Sequence, residues 1–298
     1  MSLTNKIDFA VVFSVKNANP NGDPLNGNRP RTTYENLGEI SDVCIKRKMR
    51  DRLLERMSGM KERKENYKGQ EIFVQSDDRK VDEFDSLHDR AVSVLDFKKK
   101  PKAIEDQACK EWFDVRAFGQ LFPYKGGAGE DKGVSIGIRG PVSIHPAFSI
   151  SRVDVTSNQI TKSASGEKSG KVRASDTMGM KHRVDSGIYV FYGSMNPQLA
   201  VKTGFSDEDS GVIKSLLPKL FENDASSARP EGSMEVLKVV WWEHKSNNKQ
   251  PCPNGLVSSA KVHRSLRDLL KDDVNKPFDE GALKKALPGL VPEIVNGF

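Results

Sequence analysis

Cysteine, histidine and long apolar runs are scarce in this 298-residue chain. The three cysteines, Cys44, Cys109 and Cys252, are odd in number and far apart. That pattern makes no disulfide framework and suits a reducing compartment. The five histidines are scattered, and none stands at metal-ligand spacing from a cysteine or carboxylate. No apolar stretch approaches the roughly 20 residues that span a bilayer, so no membrane partner is expected. The opening "MSLTNKIDF" has no run long enough for a signal-peptide core, and the expected setting is the cytoplasm. Phosphate-loop signatures are also missing. "GAGEDKG", residues 127–133, misses G-x-G-x-x-G by one position, and Lys132 is followed by glycine rather than Ser or Thr. No serine sits in G-x-S-x-G. No metal, no cofactor and no catalytic residue is expected.

What is present is charge. Charged residues make up 30% of the chain, with 47 Lys and Arg against 41 Asp and Glu, a formal net charge of +6. A mild excess of this kind matters through its distribution. Residues 7–15 read as a buried strand of β-branched and aromatic residues. Residues 41–57 read as a helix capped by Ser41, with Asp42 in its first turn. Residues 58–133 form an insertion of surface helices and loops, in which 110–122 reads as a short amphipathic helix. Residues 134–155 alternate as strands broken at Gly140-Pro141. Residues 156–176 are polar and read as a long loop or protruding hairpin. Residues 187–193 are an interior strand, 206–221 a helix opened by a Ser206/Asp209 capping box and kinked or ended by Pro218, 234–242 a strand, and a last helix follows near the C-terminus. The order is strand, helix, strands, strand, helix, strand. That is α+β, a ferredoxin-like or RRM-like βαββαβ core with large insertions, read as a single domain over 1–298.

Two stretches stand out. "NPNGDPLNGNRPR", residues 19–31, packs two Asn-Gly pairs, three prolines and two arginines behind the first strand. Each Asn-Gly can reverse the chain, and glycines at positive φ can turn backbone N–H groups toward phosphates. Asn19, Asn21 and Asp23 are read as stabilising the loop through their own backbone. On the first helix, a wheel at roughly 100° per residue gathers Val43, Ile45, Met49, Leu53, Leu54 and Met57 on one half. Arg47, Lys48, Asp51, Arg52 and Glu55 take the other. Lys46 and Arg50 fall inside the apolar half one turn apart, where they either snorkel past the rim of the core or converge on a bound anion. Arg29, Arg31, Arg47 and Lys48 raise the local charge further, which favours a polyphosphate.

"NPNGDP" closing the first strand, then "NRPR" and "SDVCIKRKMR", resembles the backbone subunit of type I CRISPR Cascade, in particular its type I-C branch. "WFDVRAFGQLF", "IRGPVSIHPAFSI", "TMGMKHRVDSGIYVFYG" and "SSARPEGSMEVLKVVWWEH" resemble further blocks of that family in the same order. The resemblance implies an RRM-like protein that lines up in many copies along one guide RNA (crRNA), beside other Cascade subunits, and presents it to target DNA. It places Arg31, Ser41, Lys46, Arg47 and Arg50 on the guide backbone. It implies a thumb over residues 156–183, carrying Lys162, Lys168, Lys171, Arg173, Lys181, His182 and Arg183. Tyr189, Phe191 and Tyr192 lack RNP1 spacing and read as core, which suits a sequence-blind grip.

Three other readings stay open. Type III relatives cut target RNA with a loop aspartate and a divalent metal, and Asp23 is the residue that could act so. His182 could serve as a general base in guide processing, though nothing in the sequence pairs it with a partner. A generic nucleic-acid-binding monomer would form no filament.

Overall fold

The computed structural model describes residues 2–123, 135–161, 178–245 and 250–298. Strand β1 (Ile7–Ala18) leads into two short strands, β2 (Gly22–Asp23) and β3 (Arg29–Pro30), and then β4 (Leu37–Ile40). Helix α1 (Asp42–Glu62) follows, then α2 (Leu87–Val94), α3 (Pro101–Glu111), α4 (Phe113–Phe118) and the strands β5 (Gly119–Phe122) and β6 (Ile136–Arg139). Next come β7 (Val142–Ile144), β8 (Ala147–Arg152), β9 (Val155–Thr161) and β10 (Met178–Met195). The chain ends with α5 (Pro197–Thr203), α6 (Asp207–Leu216), β11 (Met234–Glu243), α7 (Ser259–Arg267), α8 (Glu280–Ala286) and β12 (Glu293–Asn296).

The fold is mixed α+β, built on an antiparallel sheet in the order β12-β11-β1-β10-β8-β4. One edge of β10 is lined in turn by β9, β8 and β7, paired to residues 178–184, 189–190 and 193–195. Apolar residues line both faces of β1 because both faces are covered. Ile7, Phe9, Val11, Phe13 and Val15 meet α1 and α6 through Ile45, Met49, Leu53 and Ile213. Ala10 and Val12, with Ile188, Val190, Val240 and Trp242, meet α7 and α8 through Val262, Leu266 and Leu283. The C-terminal segment therefore closes the second face. Tyr189 and Phe191 are fully buried, and Tyr192 stacks on His263 at 4.8 Å.

The sequence expectations meet the structure unevenly. The capping box of α6 is present, and the helix gives way to a 3-10 turn at Leu217–Lys219, where Pro218 lies. Residues 110–122 are not one helix. Gly119 sits at φ +82 at the end of α4, and the next residues pair with β6 instead. The region after α1 is more than surface: Phe73, Ala108, Trp112, Val115 and Phe122 form a third buried cluster with Ile136. The wheel's polar half of α1 is only partly solvated, with Arg47 and Glu55 exposed. Lys48 is buried and bonded to Asp224, and burial pushes its pKa down despite that carboxylate. Asp51 and Arg52 are buried as well, because segments near Arg79 and Asn223 cover that side. Val43, counted in the apolar half, is exposed.

The histidines, scattered in sequence, partly converge. His244 and His263 both reach the buried Asp8, at 2.8 and 3.5 Å. Leu256 N–H donates to His244 Nδ1, so that nitrogen is unprotonated and Nε2 carries the proton to Asp8. Burial pushes the Asp8 carboxyl up, but hydrogen bonds from His244, His263 and Ser259, with the charge of Lys6, hold it well below the usual carboxylate range.

Candidate nucleic-acid interface

The proline- and asparagine-rich loop is a pair of reversals. The first turns at Gly27 and Asn28, both at positive φ (58° and 60°), and lets β2 pair with β3. Gly27 suits this because a side chain there would be strained. The second reversal is not at Asn21-Gly22, as the two Asn-Gly pairs suggest. It lies at residues 33–36, where Thr33 Oγ1 accepts from Glu35 and Leu37 N–H and Asn36 takes φ 61°.

Asn19 and Asp23 hold the loop together through its own backbone, as Asx chemistry predicts, while Asn21 ties it to the start of α1 instead. Asn19 Nδ2 donates to the Asn28 carbonyl at 2.6 Å, and Asn21 Oδ1 accepts from Ser41 N–H at 2.9 Å. Asp23 accepts from Leu25 N–H at 3.2 Å and lies 3.3 Å from Arg31 Nη2. Both of its engagements are internal to the loop. Ser41 caps α1 by accepting from Cys44 N–H, and Asn19 N–H donates to the Ala228 carbonyl. The loop, the start of α1 and residues 226–229 are thus fastened to one another.

The same loop reaches the β9–β10 hairpin. Arg29 Nη1 donates to Ser157 Oγ at 2.8 Å, and His182 Nδ1 lies 2.8 Å from the same oxygen. Ser157 accepts from Arg29, which leaves its own proton free to point at His182. Arg183 faces Asp185 at 3.6 Å, and Lys181 is exposed. Lys162, Lys168, Lys171 and Arg173 lie outside the described residues. Ser157 is the residue that sequence reasoning missed. Its role comes from the β9–β10 register, which sets it opposite His182.

The two helical cations do not share an anion. Lys46 Nζ sits 2.9 Å from Asp42 at the rim. Arg50 turns inward: its Nε donates to Asp114 Oδ2 at 2.9 Å, and its guanidinium lies 5.2 Å from the Phe118 ring centre. Asp114 is buried and also accepts from Phe73 and Val74 N–H, so Arg50 ties the region after α1 to the helix. Arg47 is half exposed and pairs with Asp78 at 3.1 Å. Asp23 has no acidic cluster around it: among the described residues, no three His, Cys, Asp or Glu side chains come together as a metal-holding group.

The family profile of CRISPR-associated protein Cas7 matches residues 5–277. The chain belongs to the Cas7 family. A curated relative from Haloferax volcanii, described as CRISPR-associated protein Cas7, is 24% identical over 305 residues, covering 91% of this chain and 82% of the relative. A chain from a solved CRISPR RNA-guided surveillance complex superposes with a TM-score of 0.50 at 13% identity, over 98% of this chain and 88% of that one. That likeness extends to the fold of this Cas7 family member, antiparallel sheet and helices together. No helix among the described residues is long and apolar enough to cross a membrane.

Proposed function

We propose that this chain is a non-catalytic backbone subunit of a CRISPR surveillance complex of type I-C. In the cytoplasm, many copies assemble along one guide RNA beside other Cascade subunits, grip its backbone and present it for pairing with target DNA. The observation that carries the reading is the convergence at Ser157 and Asn21. Three stretches far apart in sequence, the 19–31 loop, the start of α1 and the base of the β9–β10 hairpin, meet along one rim. These stretches carry Arg29, Arg31, Lys46, Arg47, Lys181, His182 and Arg183. Cations spread along a rim suit a phosphate backbone rather than one base. Arg50 supports the rim from behind through Asp114, and Ser41 does so by capping α1.

The strand order supports an RRM-like core. Counted along βαββαβ, the strands β1, β8, β10 and β11 lie fourth-first-third-second, all antiparallel. The sheet face that an RRM offers to bases is here under α7 and α8. Binding then falls to the rim and hairpin, which fits a carrier of any guide sequence. The β9–β10 hairpin is the base of the thumb in this reading.

The test is purification at low salt followed by electron microscopy with added RNA. The expected outcome is co-purifying RNA and elongated or arc-shaped oligomers that form regardless of RNA sequence. A monomer that carries no nucleic acid and ignores added RNA overturns the proposal.

A further inference from the structure

An open cleft of about 670 Å³ lies beside the start of α1, walled by Lys46 and Phe118 on one side and by β6, β7 and the end of β10 on the other. That volume is in the range of about 300–1,000 Å³ typical of ligand-holding clefts. Its charges have one sign. Lys46 and Arg139 line it, Ser143 and Ser194 add hydroxyls, and no carboxylate is among the described lining residues. Asp42, which bonds Lys46, is not part of the wall.

Arg139 is the unusual member. Among the described residues its guanidinium has no hydrogen-bond or ion-pair partner. Arg29, Arg31, Arg47, Arg50 and Arg116 each have one; Arg152 and Arg264 share the unpartnered state among the described residues but do not line the cleft. The wall that carries it is firm. β6 is paired to β5 residue by residue, and a side chain on Gly140 would strike the Ala117 carbonyl, so the turn into β7 is held against α4. A solvent-facing cation with no partner among the described residues, on a firm wall, keeps its donors available to a ligand oxygen.

We infer that this cleft seats a phosphodiester of single-stranded RNA, with Arg139 and Lys46 as its two cations and the Ser143 and Ser194 hydroxyls as additional donors. The inference rests on the guide-binding reading and extends the path of the backbone from the loop past α1 to β6. It adds Arg139, Ser143 and Ser194 to the residues that meet RNA. The site is sequence-blind, because nothing in it is built to read a base edge.

The test compares Arg139→Gln, Lys46→Gln, the double variant and Arg264→Gln, a control arginine on α7, by titrating unstructured RNA over a range of salt. The expected result is a roughly tenfold loss for Arg139→Gln at moderate salt. The slope of log affinity against log salt should flatten by about 0.7, because one phosphate is no longer neutralised. The melting temperature should not change, since no partner of Arg139 among the described residues is removed. The double variant should lose less than the sum of the single losses if both cations hold one phosphate. Arg264→Gln should bind as wild type. If wild type binds RNA with a clear salt slope and Arg139→Gln matches it in affinity and slope, the cleft assignment is overturned and the guide-binding reading stands. If wild type itself does not bind RNA at low salt, both fall.

Discussion

Arg116 and Arg29 are the same residue type put to opposite uses. Arg116 is buried. It holds Asp209 with two nitrogens at 2.9 and 2.8 Å, and donates to the Gly69 carbonyl at 2.7 Å and to the Cys109 carbonyl at 3.3 Å. Arg50 is its counterpart on Asp114. Together they bolt the region between α1 and β7 onto the sheet layer, one through α1 and one through the capping residue of α6. Arg29, Arg31 and Arg47 keep one or two partners each and remain at least partly exposed themselves. Burial and the number of partners separate a structural cation from one free to trade its partner for a phosphate. Charge count alone does not.

The sharpest way to break the comparison is to remove a bolt. Arg116→Ala leaves Asp209 and two carbonyls without their donor inside the protein. It should cost about 3–5 kcal/mol of stability, as one-sided removal of a buried ion pair does, read by urea unfolding. A cost under about 1 kcal/mol would place Arg116 with the rim.

Asp8 tests the same rule with the sign reversed, as a buried anion held by cationic and neutral donors. Asp8→Ala should cost about 3 kcal/mol. The pH dependence follows from the direction of its shift. The native carboxyl titrates below its unfolded value of roughly 3.9. The part of its stabilisation that depends on charge is therefore fully present above that pH and is lost as pH falls toward the native value. The stability gap between wild type and Asp8→Asn should be flat from pH 5 to 7 and shrink below pH 4. A gap that widens in acid would show that the carboxyl is not held as an anion.

The rim variants should invert this pattern. Arg29→Glu with Arg31→Glu should weaken RNA binding by at least tenfold at low salt, while stability stays within about 0.5–1 kcal/mol, as is usual at exposed sites. Equal losses of stability and binding would erase the distinction between bolt and rim.

The smallest effect is expected at Asp23. Asp23→Ala removes a cap on Leu25 N–H and a half-exposed pair with Arg31, worth about 1 kcal/mol together. It should leave guide-dependent activity of the full complex intact. Labelled complementary RNA incubated with the guide-loaded protein and Mg²⁺ or Mn²⁺ decides the matter. Regularly spaced cuts that vanish in Asp23→Ala would move the ribonuclease reading to first place.

Local chemistry was legible in the sequence. Ser41 and the Ser206/Asp209 pair cap their helices because capping needs only residues three apart, and Asp23 caps Leu25 N–H for the same reason, whereas Asn19 and Asn21 bond nine and twenty positions away. What escaped was whatever depends on two distant segments meeting. A helical wheel sees one helix. It could not show that segments near Arg79 and Asn223 would bury Lys48 and Arg52, or that Asp114, sixty-four positions away, would draw Arg50 inward. Lys46 and Arg50 were singled out together by angle, yet the angle leaves open which neighbour each long side chain finds. Asp8, His244 and His263 come together only because β1 pairs with β11 and α7 folds back over the sheet. Arg139 lay in a block that carried the family resemblance, but nothing in the sequence marked it as a binding residue. What distinguishes it is a place on the cleft wall with no partner among the described residues, which is a property of the folded neighbourhood.

The continuous strand β10 has a consequence for how this chain can vary. Its inner part is locked between β1 and the β7–β8 edge, and its outer part is zipped to β9 from Val155↔Val184 out to Thr161↔Met178. A slip of one residue would turn every side chain to the wrong face, so both ends of the segment between positions 161 and 178 are pinned in place. Length can therefore be added or removed there without disturbing register elsewhere. For a flexible connection, each doubling costs only about 0.6 kcal/mol. The Thr161–Met178 pair is thus an address at which a foreign loop, a tag or a longer reach can be grafted while the sheet beneath it stays as it is.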